Sequence, residues 1–202
     1  MAKDVHYLNP EQLRKLLRVA ENRPEASRNI AMILLSYRHG LRGSEVCGIK
    51  LSDIDESNGL LTVRARKTRR RGGIKFSEAF RPKDAYGASD LAAIRSYMRE
   101  RDEYDHAAMC DFLFLSRKGG GFLAHSWTTA FKNLAKAAGL PSVLAHPHVL
   151  RHTAAMRAID AGTPLHLVQG VLRHASIASL TPYIEPMQKD VDAAMIKALA
   201  KS

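Results

Sequence analysis

Apolar residues recur at helical spacing along most of the chain. The first series follows Asn9, which can cap a helix, with Pro10 suited to the first helical position and Gln12 able to reach back to the cap. A second helix is expected from about Glu25, ending at Gly40. Further helices are predicted at residues 89–103, at residues 126–139 with Ser126 as the N-cap, at residues 147–162 and 164–173, and in the tail after residue 186.

Between residues 52 and 80 the pattern changes from helical spacing to alternation. Leu61 and Val63 alternate with polar residues after Asn58-Gly59, a dipeptide typical of hairpin turns. Gly72-Gly73 predicts a second turn, followed by a third strand over residues 74–76, and residues 112–115 predict a short buried strand. The expected fold class is α+β, mostly α-helical, with a small three-stranded antiparallel sheet. No internal repeat or long linker is visible, so residues 1–202 are expected to form a single domain.

The charge balance of the chain points to a polyanionic partner. Lys and Arg number 31 against 20 Asp and Glu, giving a formal net charge of +11. Six of the eight residues from Arg64 to Arg71 are basic, and they fall at the expected tip of a hairpin. We expect this run to contact a DNA backbone, although such a run is also compatible with a merely solvated surface. The candidate DNA-binding residues in it are Arg64, Arg66, Arg69, Arg70 and Arg71.

Cysteine usage and hydropathy indicate where the protein works. Cys47 and Cys110 are too few to form a disulfide framework, which suits a reducing compartment. The first ten residues contain no apolar run typical of a signal peptide, and no stretch is long enough to span a bilayer. We therefore expect a cytoplasmic protein that does not contact a membrane.

The segment from His148 to Tyr183 carries the most informative chemistry. His148 and Arg151 are three residues apart, so a helix would direct both towards one spot. An imidazole can move a proton near neutral pH, and a guanidinium suits phosphate oxygens. Tyr183 follows His174 by nine residues and has a hydroxyl that can attack. Together these residue types predict phosphoryl transfer to a protein side chain.

Arg42 is a second candidate phosphate ligand. It lies between Gly40 and Gly43, just before an expected short helix whose N-terminus favours anions. Considered without the rest of the chain, Arg42 would more simply be an ordinary exposed loop residue.

A metal site is the main alternative for the histidines. His148 and His152 have the spacing of zinc-binding helices, with His146 and His174 nearby. No Asp or Glu stands beside them to act as ligand or base, and neither cysteine is close. The chain also lacks a GxxxxGK[ST] phosphate-binding motif. We therefore expect neither a metal nor a cofactor.

Three sequence boxes together resemble the tyrosine site-specific recombinases, also called phage-type integrases. The boxes are the run from Gly40 to Glu45, the run from His148 to Thr153, and His174 with Tyr183. Their order and spacing are specific, and the resemblance extends from about residue 8 to residue 184. It implies a catalytic domain that is mostly helical with a small antiparallel sheet, and a strand-exchange reaction on duplex DNA.

The resemblance also implies a role for each site residue. Arg42 and Arg151 would bind the scissile phosphate, His148 would act as an acid or base, and His174 would donate a further hydrogen bond to the phosphate. Lys67 would protonate the leaving 5′-hydroxyl, with Lys75 as the alternative lysine. Tyr183 would be the nucleophile. The catalytic set is therefore Arg42, Lys67, His148, Arg151, His174 and Tyr183.

The chain departs from the family pattern in places. Arg173 stands where a glycine is usual before the second histidine, and Pro182 directly precedes Tyr183. Larger members carry an N-terminal DNA-clamping domain for which this sequence has no room. In that respect the chain is similar to short recombinases that invert a fimbrial promoter segment and to short integrases of mobile elements.

The partners implied by the resemblance are double-stranded DNA, further copies of the chain in a homotetramer on synapsed DNA, and accessory DNA-bending proteins. The tail at residues 187–202 has an apolar helical face that would either fold back or dock on a neighbouring subunit. Two other interpretations stay open: a catalytically silent DNA-binding regulator that keeps the recombinase fold, and a structural basic protein without a site.

Overall fold

The first helix begins as its sequence predicts. A computed structural model of the chain describes residues 7–64, 71–75 and 90–172. Helix α1 spans Pro10–Glu21, and its start is fixed by a reciprocal pair of hydrogen bonds. The Gln12 backbone N–H donates to Asn9 Oδ1 over 2.8 Å, and the Asn9 N–H donates to Gln12 Oε1 over 2.9 Å. One face of α1 is then buried, as the spacing of its apolar residues requires.

Helix α2 is the centre of the core. It spans Ala26–His39, and its ten residues from Arg28 to Tyr37 are all buried. It packs against α1, α4 (Asp90–Arg101) and α6 (His148–Asp160), which explains why its central residues 30–35 are all apolar. The helix ends at Gly40, whose φ of +60° and close approach to Leu172 Cδ2 leave no room for a side chain.

A short helix and the sheet follow. Helix α3 spans Gly43–Cys47, and the strands are β1 (Ile54–Asp55), β2 (Leu60–Arg64) and β3 (Arg71–Lys75). The sheet is antiparallel in the order β1-β2-β3, although β1 covers only two residues. This confirms a mostly helical fold with a small antiparallel sheet.

The third strand begins earlier than the sequence predicts. Gly72 and Gly73 do not form a turn but pair with Val63 and Thr62 inside β3. The prediction was wrong because ladder hydrogen bonds to β2 satisfy these backbone groups, which outweighs the turn preference of two glycines.

The segment at residues 112–115 is buried but is not a strand. Phe112 and Leu115 form isolated bridges with two different partners, Lys50 and Gly121, so no ladder develops. Leu113, Phe114 and Leu115 are nevertheless fully buried. The Leu115 N–H donates to the Tyr97 hydroxyl over 2.8 Å, and burial raises the pKa of Tyr97 to about 12. The apolar run therefore belongs to the core, as predicted, but the predicted strand is wrong.

The last described helices carry the second half of the site. Helix α5 spans Ala124–Ala137, α6 spans His148–Asp160 and α7 spans Leu165–Val171. Helix α5 begins two residues before Ser126, with Leu123 at its N-cap, so Ser126 is not the cap that the sequence predicts. The predicted tail helix at residues 187–202 lies outside the described residues. Within residues 7–64, 71–75 and 90–172, no helix is long and apolar enough to cross a membrane.

Candidate active site

Arg42 lies on a short connection between the central helix and α3. The connection consists of residues 40–42, and Arg42 occupies the position just before Gly43, the first residue of α3. Its side chain is 37% exposed, so the guanidinium can still meet a ligand from solution.

Glu45, one turn into α3, holds Arg42 in place. Arg42 Nη1 lies 3.0 Å from Glu45 Oε1, and the Arg42 backbone N–H donates to Glu45 Oε2 over 2.9 Å. The Glu45 side chain is only 2% exposed, so this ion pair is far less screened than a surface pair. The same Oε2 lies 3.9 Å from Arg151 Nη1. One buried carboxylate therefore stands between the two predicted phosphate ligands.

Arg151 projects from the first turn of α6 into the protein. It is 1% exposed, and its two terminal nitrogens donate to the backbone carbonyls of Gly40 and Leu172. These partners are 111 and 21 residues away in sequence. Arg151 thus joins the end of α2, the start of α6 and the end of α7.

His148 is the first residue of α6, one turn before Arg151. It is exposed, and its ring lies edge-on to that of His152 with the centroids 4.6 Å apart. The structure places His148 at the surface, one turn before Arg151, so the two side chains differ in exposure although the i, i+3 spacing predicts that they share one helix face. Among the residues described, no group of three or more His, Cys, Asp or Glu side chains could hold a metal ion.

The connection that carries Arg42 is also anchored from α4. Asp90, the first residue of α4, accepts from Arg38 Nη1 over 2.7 Å and lies 2.8 Å from His39 Nε2. The Arg38 and Asp90 side chains are 1% and 2% exposed. This cluster fixes the residue immediately before Gly40, and so limits how far the Arg42 connection can move.

The structure places only part of the predicted basic surface. Arg64 is the last residue of β2 and Arg71 the first of β3, and the two are paired in the ladder. Lys75 pairs with Leu60 at the opposite end of the ladder. The remaining predicted residues lie outside the described part of the chain: Arg66, Lys67, Arg69, Arg70, His174 and Tyr183.

The family model that matches the chain is the phage integrase family, and the match extends over residues 6–189. The chain belongs to this family. The sequence resemblance to the tyrosine recombinases is thereby confirmed.

Individual members of the family resemble the chain to different extents. Type 1 fimbriae regulatory protein FimB of Escherichia coli K12 is 29% identical over 172 residues, which cover 85% of this chain and 80% of FimB. Tyrosine recombinase XerC of Anoxybacillus flavithermus is 30% identical, over 88% of this chain but 57% of XerC. The chain thus spans most of FimB and little more than half of XerC.

Solved structures of tyrosine recombinases share the fold. The crystal structure of XerA recombinase matches with a TM-score of 0.70 and 27% identity, covering 88% of this chain and 59% of XerA. A λ integrase tetramer bound to a Holliday junction matches with a TM-score of 0.60, covering 80% of this chain and 44% of that chain. Its 23% identity makes it evidence for the fold alone.

Glu45 is the site residue that sequence reasoning missed. It lies within the first sequence box, yet only Arg42 is assigned a role there. The signal is present, because residues three apart share one helix face and an acidic residue beside an arginine predicts an ion pair. The backbone carbonyls of Gly40 and Leu172 could not have been found in this way, since main-chain acceptors carry no sequence signal.

Proposed function

We propose that this protein is a site-specific DNA recombinase that cuts and rejoins duplex DNA through a 3′-phosphotyrosine intermediate. The observation that carries the proposal is the pairing of Arg42 and Arg151 across Glu45, with His148 one turn before Arg151. Two guanidinium groups that share one carboxylate leave a surplus positive charge. A phosphate diester is the kind of anion that such a fork-shaped pair recognises.

The reaction needs a nucleophile and charge stabilisation. The Tyr183 phenol oxygen attacks the scissile phosphorus, and the bond from phosphorus to the 5′-oxygen breaks. Arg42 and Arg151 offset the charge that builds on the non-bridging oxygens, which is electrostatic stabilisation by preorganised donors. Attack by a 5′-hydroxyl on the phosphotyrosine then releases the tyrosine and reseals the strand. Because the phosphotyrosine keeps the bond energy, neither ATP nor a metal is required.

Proton transfers accompany both halves of the reaction. A phenol has a pKa of about 10, so Tyr183 must lose its proton as it attacks. We assign the role of acid or base to His148, which is exposed at the start of α6. We assign protonation of the leaving 5′-oxygen to Lys67 and a further hydrogen bond to His174. Lys75 is the less suitable lysine, because it lies at the end of β3 away from the basic run.

We infer that the working form is a homotetramer on two synapsed duplexes in the cytoplasm, with residues 1–202 acting as one catalytic domain. The λ integrase tetramer on a Holliday junction supports this inference by its similar fold. Accessory DNA-bending proteins would help to bring two sites together. The arginines at positions 64, 66, 69, 70 and 71 would hold the DNA backbone, and residues 187–202 would dock on a neighbouring subunit.

A nicked suicide duplex tests the reaction directly. The duplexes are designed from candidate inverted repeats sought in the DNA next to the gene, and the nick lets the short 5′ fragment diffuse away after cleavage. We expect a denaturant-resistant protein–DNA complex with the parent protein and none with the matched variant Tyr183→Phe, which keeps the ring. A parent protein that binds these duplexes without forming the complex would contradict the proposal.

Deletion of residues 187–202 tests the proposed docking of the tail. The truncated protein is expected to stay folded and bind a single site, yet fail to join two sites in a synapsis assay. Loss of the cooperative thermal transition would instead show that the tail belongs to the core of its own subunit.

A second candidate function is a DNA-binding regulator that does not cut. The observation that favours it is the name of the relative FimB, a fimbriae regulatory protein that is 29% identical. The suicide duplex separates the two functions, because a regulator would give a gel shift without a covalent band. If the protein is such a regulator, its Tyr183→Phe variant should bind DNA as well as the parent protein does.

A further inference from the structure

Trp127 packs where the two halves of the candidate active site meet. It lies in the first turn of α5, is fully buried, and stacks edge-on against Phe131 with the ring centroids 5.6 Å apart. A Cβ placed on Gly43 would lie 3.2 Å from Trp127 Cδ1 and 3.8 Å from Nε1. The same Cβ would lie 4.0 Å from the Pro147 side chain. The indole edge and Pro147 therefore line one small space at Gly43.

The neighbours of that space are the site residues themselves. Gly43 directly follows Arg42, and Pro147 directly precedes His148. Helix α3 has only five residues, too few to be stable without tertiary packing. The surface against which α3 rests must therefore set the position of Arg42 and Glu45 relative to α6, and Trp127 forms part of that surface.

If core packing alone decided the residue at position 127, a phenyl ring would be favoured over the indole of Trp127. Its Nε1 is buried, and no hydrogen-bond acceptor reaches it among the residues described. A buried donor without an acceptor destabilises the folded state, and a phenyl ring would avoid that loss. The polar edge of the indole is the part that faces Gly43.

We propose that Trp127 is a positioning residue of the recombinase site, which acts through Gly43 and Pro147 to fix the separation of Arg42 from His148 and Arg151. The inference rests on the proposed function. It goes beyond it by assigning a role in catalysis to a residue on α5 that does not touch the phosphate. Small shifts of a preorganised charge slow the reaction, since a misplacement of about 1 Å can lower a rate by roughly a hundredfold.

The first test compares two buried substitutions on one face of α5. Trp127→Phe removes the indole edge at Gly43, whereas Leu134→Ala removes a buried side chain two turns further along. We expect Trp127→Phe to lower the single-turnover rate of covalent-complex formation at saturating DNA by about tenfold, with Kd for DNA nearly unchanged. Leu134→Ala should lower Tm at least as much and leave the rate per folded molecule unchanged.

A double-mutant cycle tests the contact itself. Gly43→Ala should slow cleavage in the parent, because the new methyl group meets the indole. In a Trp127→Leu background the same methyl group has space, so its effect on the rate should disappear or reverse. If the two effects on the rate simply multiply, the proposed coupling is wrong.

The outcomes separate the inference from the proposed function. A parent protein that forms no covalent complex overturns both. A parent that forms it, with Trp127→Phe cleaving as fast as Leu134→Ala, overturns only the role of Trp127. If Trp127→Phe does not fold, Gly43→Ala decides: slower cleavage at unchanged Tm supports the inference, and an unchanged rate overturns it.

Discussion

Arg151 and Arg101 are both buried arginines, yet their surroundings differ in kind. They are 1% and 3% exposed, and both donate to backbone carbonyls. The acceptors of Arg101 belong to Ala107, Cys110, Phe112 and Leu113, all within 12 residues of it. The acceptors of Arg151 lie on two distant segments, and a second arginine stands across a shared carboxylate.

The difference shows that burial does not by itself identify a functional arginine. Arg101 donates hydrogen bonds to the carbonyls of one irregular segment, residues 107–113, which has only an isolated bridge and no strand ladder. Its guanidinium therefore stabilises the local structure of that segment. Arg151 and Arg42 together carry more positive charge than Glu45 can offset, and Arg42 remains open to solution. A concentration of like charge beside an exposed group is the feature that points to an anionic ligand.

The largest effect should come from removing either site arginine. Arg42→Ala and Arg151→Ala are each expected to lower the rate of covalent-complex formation by roughly a hundredfold or more, since each removes preorganised charge. Arg→Lys should not restore the parent rate, because an ammonium cannot reproduce the planar fork. Single-turnover cleavage of the suicide duplex measures this. Near-parental cleavage by either Ala variant would contradict a shared phosphate site.

Arg101→Met should lower the stability of the protein and leave its cleavage rate unchanged. The variant keeps much of the side-chain volume but leaves several carbonyls without their donor, so we expect a loss of about 2–4 kcal/mol in the free energy of unfolding. Well below its Tm, the folded variant should cleave at the parental rate. Urea unfolding followed by cleavage at low temperature checks both parts. A specific loss of cleavage in fully folded protein would remove the distinction between the two arginines.

A third class of arginines should affect binding rather than chemistry or stability. Neutralising Arg69, Arg70 and Arg71 should weaken binding to every duplex. The slope of log affinity against log salt should become shallower by about 0.9 for each DNA phosphate that the variant no longer neutralises. Binding titrations on specific and unrelated duplexes over a range of salt measure this. An unchanged slope would show that the run does not touch DNA.

The smallest effect concerns Cys47, which has buried Arg28 nearby. Burial raises the pKa of the Cys47 thiol to about 12, and the opposing influence of Arg28 is weaker. The unfolded thiol ionises near its ordinary pKa of about 8.5, so above that pH the unfolded state holds fewer protons and stability falls. We expect native Cys47 to resist alkylation at pH 8. Cys47→Ser should remove part of the stability loss at alkaline pH, and rapid alkylation of the native protein would contradict this.

Much of the fold followed from local sequence signals. Asn9 and Gln12 predicted the start of α1, and Gly40 predicted the end of α2, because cap geometry depends on a few adjacent residues. The strand expected at residues 112–115 failed because an apolar run reports burial and not pairing. The turn expected at Gly72-Gly73 failed because a partner strand changed the preference of the glycines.

The candidate site was predictable in its residue types but not in its connections. Helix spacing alone predicts that His148 and Arg151 lie one turn apart, and both do lie in the first turn of α6. The carboxylate that brings Arg42 and Arg151 together, and the carbonyls that hold Arg151, depend on how α2, α3, α6 and α7 meet. The catalytic roles of all six residues remain predictions: Arg42, Lys67, His148, Arg151, His174 and Tyr183.

The hydrogen bond between Arg151 and the Gly40 carbonyl has a consequence for the order in which the enzyme matures during synthesis. Its two ends are separated by 111 residues, so the arginine pair cannot form until the ribosome has released most of the chain. The Leu172 carbonyl extends this requirement almost to the segment that contains Tyr183. A nascent chain therefore contains Arg42 long before Arg151 is available to pair with it across Glu45.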